Sequence, residues 1–128
     1  MPREPAPAPI ESAVHFDPAA LRHDLFDSTT ALFNVLHTVH PWLADIRGQL
    51  RGAVDAGDTA SIATICHKLR GGLAQLRASA AVDLVRQLEA ACKADLNATL
   101  ASDNSELLEL EAELEALSAE LAQFLALR

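Results

Sequence analysis

Apolar residues recur along this chain three and four positions apart, in runs long enough for helices and without the alternation that marks a strand. Leu32, Val35, Leu36, Val39, Leu43, Ile46 and Leu50 line one face of a long stretch. Ile62, Ile65, Cys66, Leu69, Leu73 and Leu76 line a second, and Val82, Val85, Leu88 and Cys92 a third. Leu107, Leu110, Leu114, Leu117, Leu121 and Phe124 line a fourth. The punctuation between stripes fits. Asp17 followed by Pro18 starts a short helix to about Phe26, with Phe16 and Leu21 placed for a hydrophobic staple. Asp27 or Ser28 caps the long second helix, which Gly57 ends as a left-handed residue. Pro41 lies inside that helix and predicts a kink or break. Asp58 or Thr59 caps the third helix, to about Arg77, and the fourth runs from about Ala80 to Ala94. Asp103 and Glu106 read as the capping box of the fifth. Short connections between long helices favour antiparallel neighbours. The fold class is therefore all-α: an antiparallel up-down four-helix bundle with a short extra N-terminal helix.

Pro2, Pro5, Pro7 and Pro9 mark residues 1–15 as a Pro/Ala-rich tail or linker, leaving 16–128 as the bundle. With 128 residues and 50% hydrophobic content the chain can bury a single core, and 4% aromatics suits aliphatic helix packing. The net charge of −8 lacks the basic footprint of a nucleic-acid binder and disfavours anionic membrane surfaces. Neither a spanning apolar run nor a signal-peptide pattern is visible, and two cysteines make no disulfide framework. These features read as cytoplasmic, either free-standing or as the cytoplasmic end of a longer, membrane-anchored sensor kinase.

The chemistry concentrates on the third helix. At roughly 100° per residue, His67 points roughly 150° from the centre of the apolar arc, so it is not a core histidine. Its predicted neighbours on that face, Ala63, Thr64, Gly71 and Ala74, are all small, where an exposed helix normally carries long polar side chains. Gly71 and Gly72 sit in mid-helix, at about 1 kcal/mol each relative to alanine. A bare backbone one turn from His67 admits something bulky to the ring nitrogen. Arg70 supplies a fixed cation suited to a phosphoryl group. Neutral imidazole is a competent nucleophile near pH 7.

The stretch His67-Lys68-Leu69-Arg70-Gly71 resembles the His-x-Leu-Lys-Gly signature of histidine-containing phosphotransfer (HPt) domains. Gly57-Asp58 resembles the family's lead-in to the histidine, and Leu84 to Glu89 resembles the Leu-x-x-x-Leu-Glu of the following helix. The likeness runs from about Phe16 to Arg128. It implies a four-helix bundle whose exposed histidine accepts phosphate from the aspartate of a receiver domain and passes it to another. It implies His67 as the phosphorylated position, Arg70 as the basic one, Gly71 as the clearance glycine and Gln75 as the polar residue two turns on. Lys68, Gly72, Ala63, Thr64 and Ala74 would meet the partner. Many members carry glycine where this chain has Arg77.

The chain has no nucleotide loop and no carboxylate cluster for magnesium, so it should not make phosphohistidine from ATP by itself. It needs no cofactor of its own, and magnesium belongs on the partner receiver. Expected partners are receiver domains and a hybrid sensor kinase of the same polypeptide, with neither nucleic acid nor direct membrane contact. Two other readings stay open. One is the substrate domain of a chemotaxis-type histidine kinase, phosphorylated by an ATP-binding domain. The other is a non-catalytic module that self-associates through Leu107 to Phe124. His37 and His40, three apart, lack the further ligands a metal site needs.

Overall fold

The computed structural model describes residues 13–126, five helices and, among these residues, no strand. They are α1 (Pro18–Asp24), α2 (Thr29–Asp55), α3 (Thr59–Gln75), α4 (Ser79–Ala94) and α5 (Ser105–Ala126). Contacts run α2 to α3, α3 to α4, α4 to α5 and α5 back to α2, closing a four-helix ring; α1 lies against α2. The tight connections at 56–58 and 76–78 make successive helices antiparallel. The leucines of the fourth stripe, with Phe124, are all buried, as are the third-helix positions Ile62, Ile65, Cys66, Leu69, Leu73 and Leu76. On α4, Val85, Leu88 and Cys92 are buried, whereas Val82 packs only partly, as do Val35 and Val39 on α2.

Most boundaries follow from local chemistry. Asp17, Ser28 and Asp58 each accept a hydrogen bond from the backbone N–H three residues on, at 3.0, 3.0 and 3.1 Å. Phe16 and Leu21 are both buried, as a staple requires, and Phe16 meets Phe124 edge to face at 5.7 Å. Gly57 takes φ +68°, with Gly57 N–H donating to Val54 C=O and Asp58 N–H to Ala53 C=O, the paired bonds of a Schellman end. Two expectations are corrected. Of the kink or break expected at Pro41 the break is absent, and α2 runs through it as one helix to Asp55. The cap of α5 is Asn104, whose Oδ1 accepts from Leu107 N–H at 3.0 Å, and not Asp103. Asparagine caps as well as aspartate, so the one-residue shift costs nothing locally.

Of the stretch expected as a tail, residues 1–12 lie outside the described residues. The rest is tied to α5: Val14 and His15 N–H donate to the Glu120 carboxylate at 2.7 and 2.8 Å, and His15 Nδ1 lies 2.8 Å from Glu113.

Arg77 settles the end of α3. It takes φ +61°, the left-handed conformation a family glycine would supply, and the same Schellman bonds form around it: Arg77 N–H to Ala74 C=O and Ala78 N–H to Leu73 C=O. Its guanidinium makes a two-pronged contact with Asp24 of α1, both bonds at 2.9 Å, which holds the Asp24 carboxyl below its ordinary value. The helix therefore ends as it would with glycine, and the side chain tethers α1. Arg77→Gly and Arg77→Ala both lose the tether, but only alanine keeps the left-handed strain. We expect the glycine variant to be the more stable of the two by about 1 kcal/mol in denaturant melts. Equal stability would show that the backbone at residue 77 is unstrained.

Candidate functional site

Residue 67 stands midway along α3, on the side facing α4. Its side chain is 66% exposed. Arg70 Nη2 lies 3.1 Å from His67 Nδ1, while Nε2 makes no hydrogen bond or ion pair among the described residues. Thr64, Lys68, Gly71, Ala74 and Gln75 are exposed around it or further along the helix, and Gln75 contacts neither His67 nor Arg70 through a hydrogen bond.

Beneath this group lies a residue that the apolar stripes did not predict for the site. Glu89 of α4 is 3% exposed, and three basic side chains converge on it. Lys93 Nζ is 2.9 Å from Oε2, Arg70 Nη1 is 3.0 Å from Oε1, and His67 Nδ1 is 3.7 Å from Oε2. Neither carboxylate oxygen has a well-aligned hydrogen bond, so charge attraction holds the group. The Lys93 ammonium, then Arg70 and His67, keep the Glu89 carboxyl below its ordinary value despite burial, which pushes the other way. The carboxylate is thus ionised at neutral pH. A visible signal existed: residues 82, 85, 89 and 92 keep the three-and-four spacing of the α4 stripe, and a carboxylate at a core position needs cationic partners.

Two members of the expected docking face sit differently. Ala63 is buried, 7% exposed, on the edge of α3 that shares a hollow with Glu89 and Lys93 of α4. Gly72 faces α2: a Cβ built there would lie 2.3 Å from the Trp42 ring, so the glycine permits a close approach of α2 to α3. At Gly71 a Cβ would meet nothing within 4 Å. The adjacent glycines thus do different work, and their alanine variants should diverge. Gly71→Ala should gain roughly 1 kcal/mol from helix propensity. Gly72→Ala forces a bulky ring aside and should cost about 1–3 kcal/mol. Thermal melts check both, and a stabilised Gly72→Ala would contradict the packing.

Cys66, next to His67 in sequence, points into the core, where burial pushes its thiol up to about 12, with Cys92 and Glu89 adding to the shift. It is no nucleophile. Among the described residues no three His, Cys, Asp or Glu side chains converge to hold a metal ion. No described helix is long and apolar enough to cross a membrane.

The arrangement is an exposed imidazole on a bundle helix, with a cation beside it and open space one turn on. The sequence matches the family model described as Hpt domain over residues 19–120. The chain belongs to the Hpt-domain family. Searches of curated proteins and of solved structures returned no match. The matched span begins within α1 and ends within α5, so the four bundle helices all contribute to it. Membership carries histidine phosphotransfer in phosphorelays as the general function of the domain.

Proposed function

We propose that His67 is the phosphoacceptor, loaded from the aspartyl phosphate of a receiver domain and unloaded to the aspartate of another. The observation that carries this reading is the His67 ring itself: the side chain is 66% exposed, Nδ1 lies beside Arg70 and Glu89, and Nε2 has no hydrogen-bond or ion-pair partner among the described residues. In the resting geometry the Arg70 guanidinium, which can only donate, takes Nδ1 as its acceptor; once Arg70 turns to the incoming phosphoryl group, the tautomer with the proton on Nδ1 leaves the Nε2 lone pair free to attack. As the Nε2–P bond forms, the P–O bond to the receiver aspartate breaks, and its electron pair stays on the aspartate carboxylate. No proton moves. The ring becomes cationic with Nδ1–H directed at Glu89, whose fixed negative charge offsets the new positive one. Arg70, already beside the ring, turns towards the transferring phosphoryl oxygens. Transfer onward is the reverse of the same step.

Magnesium and the acidic pocket that binds it belong to the receiver in this scheme, and the chain supplies no cofactor. The test is direct. Receiver domains from the source genome are charged with acetyl phosphate and magnesium, then mixed with this chain. At least one should pass its phosphate to the chain, and a second should accept it from the phosphorylated chain. If the chain is instead labelled only by an ATP-binding kinase domain, it is a kinase substrate domain and the relay reading falls.

A further inference from the structure

A hollow of about 410 Å³ opens beside His67, between α3 and the chain leaving α4. Ala60, Ala63, Thr64 and His67 of α3 line it together with Glu89 and Lys93 of α4 and Leu96 just beyond. Leu96 is 50% exposed, unlike the stripe leucines of the bundle. It is held there by a pinned loop. Asp95 Oδ1 accepts from Asn97 N–H at 3.0 Å, and the hydroxyl of Thr59, a buried residue at the first turn of α3, donates to Ala98 C=O. An apolar side chain is thus fixed beside the reactive histidine.

Charge on this face opposes that of the whole. The chain carries −8, yet both of its lysines, Lys68 and Lys93, together with Arg70, are set near His67. Ala63 and Thr64 lie one helical turn from His67, within about 6 Å on the helix surface. Any protein that brings an aspartyl phosphate to His67 must therefore cover the hollow. The buried Glu89 carboxylate also lines the hollow, with Lys93 2.9 Å and Arg70 3.0 Å from its oxygens. The lining consequently combines the Lys93 cation with the methyl groups of Ala60, Ala63 and Leu96.

We propose that Leu96 and this hollow are the specificity contact for the receiver: the hollow takes an aliphatic side chain standing next to the receiver's phosphorylated aspartate, and Leu96 closes over it. This inference rests on the receiver reading above, and its test separates the two. Leu96→Ala and Leu96→Glu are compared with the wild-type chain in two assays. The first uses phosphoramidate, a small donor that needs no docking. The second uses the receiver that loads the wild-type chain fastest, over a range of concentrations. Both variants should label with phosphoramidate at the wild-type rate. The receiver concentration for half-maximal transfer should rise several-fold for alanine and at least tenfold for glutamate, with the maximal rate retained. Half-maximal concentrations within twofold of wild type in both variants would overturn the proposal. If no receiver loads the wild-type chain, the receiver reading fails first. A loss of maximal rate without a change in half-saturation would also overturn it, by placing Leu96 in the chemistry and not in docking.

Discussion

His67→Gln should abolish phosphoryl transfer and leave the melting temperature within a degree or two of wild type. The side chain is two-thirds exposed and contributes nothing to the core, so its loss removes chemistry without removing packing. Glutamine keeps a polar group near Arg70 but offers no lone pair of imidazole character. The four remaining histidines provide the control. His15 is occupied with Glu113, His23 lies near Asp27, and His37 and His40 stand on α2, remote in sequence from the Glu89 cluster. Their glutamine variants should transfer at the wild-type rate. Residual labelling of His67→Gln, or its loss in one of the four controls, would move the phosphoacceptor elsewhere.

Glu89→Met should separate stability from function. A buried carboxylate between two cations is a poor stabiliser, because desolvation offsets most of the attraction, and a packed apolar side chain of similar volume is often neutral or better by about 1–4 kcal/mol. Position 89 continues the α4 apolar stripe, so methionine has a core to enter. Arg70 and Lys93, at 36% and 61% side-chain exposure, can turn to water. We therefore expect the variant to melt at or above the wild-type temperature. Transfer should fall on the order of tenfold to a hundredfold, equivalent to losing about 1.4–2.7 kcal/mol of transition-state stabilisation. The defect comes from Nδ1, which loses the anion that fixes its proton and balances the ring charge. Glu89→Gln, which keeps shape and loses charge, should show the same direction. A further sign follows from the depressed carboxyl of Glu89. Its ion pairs stabilise the fold above the ordinary carboxylate value and fade as pH falls through the lower folded value. Acid unfolding should therefore lose some of its pH dependence below about pH 4.5 in Glu89→Met. Wild-type transfer in either variant would reduce Glu89 to a structural remnant.

The bundle was legible because helix burial is periodic. Every stripe of leucines stated from sequence became core, and three of the N-caps fell on residues already named as candidates. Misses arose where two local options were equally good or where only a neighbouring helix could decide. Asp103 and Asn104 are both capable caps, and one residue of register chose between them. Gly71 and Gly72 are alike in sequence; Trp42, thirty positions earlier on α2, distinguishes them. A wheel centred on one helix put Ala63 with the exposed residues, and in the packed bundle it is buried. Glu89 entered the sequence reading only as the end of the Leu84–Glu89 stretch, and its place on the α4 stripe gains meaning only once Arg70 and Lys93 are seen to face it. Phe26, expected as the last residue of the first helix, instead takes φ +60° and stands 95% exposed, so α1 ends two residues earlier.

The central claim is that phosphate travels through the outer nitrogen of one exposed histidine. Site mapping tests it most directly. The wild-type chain is mixed with a charged receiver, quenched at alkaline pH to preserve the N–P bond, digested, and fragmented by electron transfer in a mass spectrometer. The account predicts a single acid-labile phosphate on the peptide containing His67, carried by that residue. Phosphate on another histidine, or an acid-stable phosphate on Ser61 or Thr64, would contradict it.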